Sequence, residues 1–149
     1  MGANHEKEID FLCNIALPTH GTITNIGSAH LEGFKNIQGV IKTKSELYNY
    51  IKQNNGILFI NNDDQLLISL SKNIKSIFYG INSELDISIK DNTPFLKLKW
   101  KNNIIESKLI GEYQFYNISL AICIGNYFNV SEKNIKLAIE SYIPKNNRS

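Results

Sequence analysis

What this sequence lacks narrows what it can be. Its 149 residues include only two cysteines, Cys13 and Cys123, each within an apolar stretch of helical character. Such thiols are ordinarily buried, which leaves no disulfide scaffold and no cysteine-built zinc site. No apolar run reaches membrane-spanning length and no signal peptide opens the chain, so a cytoplasmic location without membrane attachment is expected. The net charge of +2 is small, and the lysines alternate with acids. That pattern makes a solvated face rather than a patch for nucleic acid. There is no internal repeat, and no glycine-rich loop ending in G-K-[ST], the phosphate cradle that opens a helix in many nucleotide-binding proteins.

What remains is the composition of one globular domain, with 42% hydrophobic and 20% charged residues. A chain of this length can bury a real core. His5 to Ala16 reads as a helix, with Ile9, Leu12, Cys13 and Ala16 on one buried face. Pro18 and Gly21 punctuate, and Thr22 to Ile26 reads as a short buried strand. A helix is expected from about Gly39 to Gln53, with Val40, Leu47, Tyr48 and Ile51 inward, stopped by Asn54-Asn55-Gly56. Ile57 to Ile60 is a continuous apolar run, as a parallel strand covered on both faces would be. Asn61 to Asp64 then caps a helix running to about Leu70, and Ser76 to Tyr79 is a further strand.

The pattern then changes. Leu85 to Ile89, Phe95 to Trp100 and Ile104 to Ile110 read as strands with no helices between them. Leu96, Leu98 and Trp100 alternate with Lys97 and Lys99, and Lys101-Asn102-Asn103 suits a hairpin turn. Two helices follow, about Phe115 to Phe128 and Ser131 to Tyr142. Ser131 would be the N-cap of the second, and Ile135, Ala138, Ile139 and Tyr142 its apolar stripe. The expected fold class is α/β: a partial parallel sheet flanked by helices, with a small antiparallel β segment.

The chemistry-bearing residues cluster where the strand ending at Ile26 meets a polar loop, Asn25-Ile26-Gly27-Ser28-Ala29-His30, followed by Lys42-Thr43-Lys44-Ser45-Glu46. Sites in open α/β folds sit at such strand ends. Alone, His30 is a weak metal signal because no second ligand lies near it in sequence. Lys44 alone fits a solvated helix face. Asp63 and Asp64, after a strand, read better as a helix cap than as metal ligands.

The pattern T-N-I-G-x-A-H-L-E, with K-x-K-x-E a dozen residues on, resembles the central ATPase domain of the Mur ligase family. The resemblance is nearest to members that add D-alanyl-D-alanine to UDP-N-acetylmuramoyl-tripeptide. Met1-Gly2-Ala3-Asn4-His5 is similar to that family's E-M-G-A-N-H-x-G-E-I, without the leading glutamate and with Lys7 in place of a glycine. Lys35 likewise replaces a glycine common after A-H-L-E-x-F. Gly111-Glu112-Tyr113-Gln114-Phe115-Tyr116-Asn117 occupies the place of G-x-H-N-x-x-N, with Tyr113 and Gln114 departing from it.

The resemblance implies a P-loop NTPase-like fold without its first strand and phosphate loop, so residues 1–149 are expected to be one central domain truncated at its N-terminal side. It implies that His30 helps to hold Mg2+, and that Lys44 becomes a carbamate and a second Mg2+ ligand. Lys42 is the rival for that modification; alignment of the helix favours Lys44. Asn117, Arg148 and Asn25 are implied in ATP binding, with Asn4, His5 and Gln114 as secondary candidates. The implied reaction phosphorylates the terminal carboxylate of UDP-N-acetylmuramoyl-tripeptide and lets the D-alanyl-D-alanine amine attack the acyl phosphate. A monomer is expected, and the segment alone is expected to be inactive. Two other readings stand beside it: another Mur ligase or a folylpolyglutamate synthase, and a non-catalytic nucleotide-binding or interaction module. The A-H-L-E-G-F and K-x-K-x-E runs argue against the first of these, and the missing phosphate loop favours the second.

Overall fold

A computed structural model describes residues 2–27 and 37–144. In chain order the elements are α1 (Glu8–Ala16), β1 (His20–Gly21), α2 (Ile37–Gln53), β2 (Ile57–Asn61), α3 (Gln65–Leu70), β3 (Ser76–Tyr79), β4 (Ile87–Asp91), β5 (Lys97–Trp100), β6 (Asn103–Glu106), α4 (Gln114–Tyr127) and α5 (Glu132–Ser141). They build two three-stranded sheets, ordered β1-β2-β3 and β4-β5-β6. The chain divides into two compact units, Met1–Ile60 with Asp64–Ile77, and Asn61–Asp63 with Phe78–Ser149.

The first sheet is parallel, as the continuous apolar run of β2 requires. His20 pairs with Ile57 and Gly21 with Leu58. On its other side, the Leu58 N–H bonds to the Lys75 carbonyl and the Asn62 N–H to the Tyr79 carbonyl. Both partners advance together along the chain, the mark of parallel strands. The core of the first unit gathers Ile23, Tyr48, Ile51, Leu58, Ile60 and Leu67, all buried. A second cluster, Ile9, Cys13 and Tyr50, seals α1 onto α2.

Several expectations shift here. The strand expected at Thr22–Ile26 is displaced: the regular pairing is at His20–Gly21, and Thr22–Ile26 holds no regular strand, because the Thr22 hydroxyl, at 2.8 Å, takes the Phe59 carbonyl that a continuing ladder would use. The first helix begins at Glu8 rather than His5, since Lys7 adopts φ 71°. It ends as Leu17 turns left-handed and its N–H bonds to the Cys13 carbonyl; Ile9 and Cys13 are buried, Leu12 is half-buried, and Ala16 is exposed. The segment Asn61–Asp64 divides its work. Asp64 caps α3, accepting from the N–H groups of Leu66 and Leu67, at 3.0 and 3.1 Å.

The second unit is built on the antiparallel meander β4-β5-β6. Leu98 pairs with Ile89 and Ile105, and Trp100 with Ile87 and Asn103. Leu96, Leu98, Trp100 and Ile105 are fully buried on one face while Lys99 points out, the alternation read from the sequence. The strand expected from Leu85 starts at Ile87 because Asp86 adopts φ 49°. The strand expected to reach Ile110 ends at Glu106, where Ser107 spends both its hydroxyl and its N–H on the Leu96 carbonyl. α4 buries Phe115, Ile118, Ser119, Ile122 and Cys123. In α5, capped by Ser131 on the Asn134 N–H at 3.3 Å, only Ile135 is fully buried. Ile139 is half-buried, and Ala138 and Tyr142 are exposed, so the expected stripe is only partly covered. It borders an open cavity instead. Among the described residues, no helix is long and apolar enough to cross a membrane.

Candidate functional site

In the first unit, α2 carries Lys44 toward the segment that follows β1. Its ammonium donates to the Asn25 carbonyl at 2.8 Å. Burial lowers the Lys44 pKa below the ordinary lysine value, since a low-polarity surrounding disfavours the charged form. Lys42, two residues earlier and therefore on a different face of the helix, is exposed and pairs with Glu6 at 2.6 Å. That carboxylate, by its hydrogen bond, holds the Lys42 pKa above the usual value. Of the two lysines, Lys44 is the one shifted toward the neutral amine.

Asn25 and Lys44 share the lining of a cavity of about 370 Å³ with His20, Thr22 and Thr24. Carbonyl and hydroxyl oxygens of this sort suit a hard cation. As an ammonium, Lys44 offers no lone pair to a cation; as a carbamate it would add an anionic oxygen pair. Among the described residues no three His, Cys, Asp or Glu side chains converge on a common point. The donor set therefore fits Mg2+ only if Lys44 is modified. His30 lies outside the described residues, as do Ser28, Glu32, Lys35 and Arg148.

Asn4 and His5 stand in the turn before α1. Their N–H groups bond to the Glu8 carboxylate at 2.7 and 3.1 Å, and these bonds lower the Glu8 pKa. Both side chains are exposed. The structure thus joins Asn25 to Lys44 directly, and sets Asn4 and His5 in the turn that α2 braces.

In the second unit, Gly111 takes φ 95° and starts the turn into α4. Gln114 and Asn117, one helical turn apart, meet at 2.8 Å, Asn117 Nδ2 donating to Gln114 Oε1. Both line a cavity of about 490 Å³ with Leu109, Ile118, Ile139 and Tyr142. The volume is that of a small-molecule site. Its walls are apolar, and the two carboxamides supply its directional polar groups. The half-covered stripe of α5 forms the opposite wall.

Sequence reasoning did not place what two carboxylates anchor, and it gave Asp63 a share in the helix cap that Asp64 alone supplies. Asp63 holds the loop after β3, accepting from the Ile81 N–H at 2.6 Å, the Asn82 N–H at 3.2 Å and Asn82 Nδ2 at 2.6 Å. Glu46 accepts from the N–H groups of Lys7, at 2.7 Å, and Asp10, at 3.0 Å. Glu46 was in view as the last member of K-x-K-x-E, but its partners lie 36 and 39 positions away. Local sequence carries no signal at that range.

Over residues 1–125 the chain matches the family described as Mur ligase middle domain. A UDP-N-acetylmuramoyl-tripeptide–D-alanyl-D-alanine ligase of Bacillus subtilis (strain 168) is 26% identical over 134 residues, spanning 88% of this chain and 29% of that protein. A crystal structure of MurF from Acinetobacter baumannii superposes with a TM-score of 0.82 at 25% identity, covering 99% of this chain and 34% of that one. The MurF ligase of Thermotoga maritima in complex with ADP gives a TM-score of 0.74 at 25% identity, covering 97% of this chain and 35% of that one. The chain spans about a third of the length of these relatives.

Proposed function

The chain belongs to the Mur ligase family through its middle domain, and from that membership we propose that it is the ATP- and Mg2+-binding part of a ligase adding D-alanyl-D-alanine to UDP-N-acetylmuramoyl-tripeptide. Residues 1–149 are read as one central domain without its phosphate loop, working as a monomer in the cytoplasm. The names of its relatives and the ADP held by one of them support this reading.

The observation that carries the site assignment is the contrast between the two lysines. Lys44 is half-buried against the Asn25 carbonyl with a lowered pKa, whereas Lys42 is exposed and paired with Glu6. Only a neutral amine attacks carbon dioxide: its lone pair forms the C–N bond, and the resulting carbamic acid releases a proton. The carbamate then presents two oxygens. In this reading it and His30 hold Mg2+, which when bound disperses charge on the transferring phosphoryl group. Neither residue is assigned a proton-transfer role.

Adenine is assigned to the cavity of the second unit. The Asn117–Gln114 bond occupies one amide hydrogen and one carbonyl, and involves neither the Asn117 carbonyl nor the Gln114 NH2. An acceptor beside a donor matches the edge of adenine. Arg148 and Asn25 are proposed as further nucleotide-binding residues, each on its motif match alone. In the full enzyme the tripeptide carboxylate attacks the ATP γ-phosphorus, ADP leaves, and the dipeptide amine displaces phosphate from the acyl phosphate.

Incubation with 13C-bicarbonate tests the lysine assignment. A carbamate carbon resonance is expected in the unaltered chain and in Lys42→Arg, and is lost in Lys44→Arg. The reverse pattern would move the modified site to Lys42, and no signal in any chain would remove the carbamate. Titration with ADP is expected to shift the amides of Gln114 and Asn117, and Asn117→Ala to abolish that shift.

A further inference from the structure

Helix α1 starts without a cap of its own. Lys7, at its N-cap, makes no side-chain cap bond and adopts a left-handed conformation. The first four N–H groups of any helix lack partners within it. In a capping box, the N-cap side chain and the side chain at N3 satisfy the N3 and N-cap N–H groups reciprocally. Here those two donors are Asp10 and Lys7, and a single remote carboxylate, Glu46 of α2, takes both: Oε1 from Lys7 at 2.7 Å and Oε2 from Asp10 at 3.0 Å. A negative charge there also complements the positive end of the helix.

Glu46 follows Lys44 by two residues, so the two side chains leave α2 about 200° apart. Lys44 reaches the segment after β1 through the Asn25 carbonyl, while Glu46 reaches the turn before α1. One turn of α2 is thereby pinned on both sides. We infer that Glu46 is a positioning residue, a capping box supplied in trans that fixes the Asn4–His5 turn relative to Lys44. The ion pair of Lys42 with Glu6 joins the same two segments, but both side chains are largely exposed, and such pairs contribute little. The catalytic meaning of this device rests on the proposed ligase reading; the device itself does not.

Amide hydrogen exchange and NMR of the full 149-residue chain test it, using Glu46→Ala, Glu46→Gln and, as control, Glu6→Ala. Glu46→Ala is expected to speed exchange about tenfold at Lys7 and Asp10, the consequence of losing a helix cap. It is also expected to speed exchange at Asn4 and His5, whose acceptor Glu8 is untouched, and to shift the Lys44 ε-methylene resonance. Glu46→Gln, keeping one acceptor oxygen, should do the same to a smaller extent, and it carries the comparison if Glu46→Ala does not fold. Glu6→Ala should leave all these signals in place. Faster exchange confined to Lys7 and Asp10, with Lys44 unmoved, would reduce Glu46 to a local cap and overturn the proposal, as would no change at all. A chain that forms no carbamate would remove the modified-lysine assignment, yet the exchange pattern would still decide the role of Glu46.

Discussion

Lys7 holds φ 71° at the start of α1, a conformation that costs a residue with a Cβ on the order of 1 kcal/mol and glycine almost nothing. The related motif carries glycine there, and the backbone angle supplies the reason. Lys7→Gly is therefore expected to leave stability unchanged or raise it by up to about 1 kcal/mol, the gain being trimmed by the greater freedom of glycine in the unfolded chain. Urea unfolding reads this directly, and a clear loss of stability would show the lysine side chain contributing where the structure gives it no such role. Lys44 makes a different demand, through its charge. Its folded pKa lies below the ordinary lysine value of 10.5 because of burial. Between the folded pKa and 10.5 the unfolded chain binds more protons, so stability should rise with pH across that window. Below the window both states are protonated, and the full cost of burying the ammonium persists. Lys44→Met should flatten this rise; a wild-type curve that falls as pH approaches 10.5, relative to Lys44→Met, would contradict the burial seen here.

Among the elements, α3 and the loop after β3 depend on adjacent aspartates with different duties. Removing the cap with Asp64→Ala is expected to cost about 1 kcal/mol. Gly80→Ala should cost more, roughly 2 kcal/mol or above. Gly80 adopts φ 116°, and an added Cβ would collide with the Asp63 carboxylate that organises Ile81 and Asn82. Paired urea titrations rank the two, and equal losses would mean that the loop relaxes around Asp63. The sequence made the cap of α3 and the buried face of β5 legible because both are local. Asp64 precedes its helix, and the alternation of Leu96, Leu98 and Trp100 with lysines is complete within five residues. The short β1 was not legible, because the interruption comes from the Thr22 hydroxyl reaching Phe59 37 positions away. The half-covered stripe of α5 escaped for a similar reason: periodicity shows which face is apolar, not what covers it. The same limit applies to the candidate site. The motif singled out Lys44 and Lys42 as candidates, but the choice between them gains physical support only from Asn25 and Glu6.

For the molecule as a whole, the decisive quantity is how much of a nucleotide these residues can hold. Two carboxamides on the rim of an apolar cavity suit a base, and they leave three phosphates to be neutralised elsewhere. The G-K-[ST] loop that would cradle those phosphates with backbone N–H groups does not occur in the 149 residues. Phosphoryl transfer depends almost wholly on positioning and on stabilising charge at the transferring group. Adenine contacts contribute equally to ground and transition states, and so lower no barrier. The 149-residue chain is therefore expected to bind ADP through its base while consuming no ATP, even with Mg2+, bicarbonate, UDP-N-acetylmuramoyl-tripeptide and D-alanyl-D-alanine all present. A coupled assay for ADP release measures this. Steady release that disappears in His30→Ala would show these residues forming a phosphoryl-transfer site by themselves, and the phosphate loop would then be dispensable to the chemistry. Release that persists in His30→Ala would point to a contaminating ATPase, and the prediction would stand.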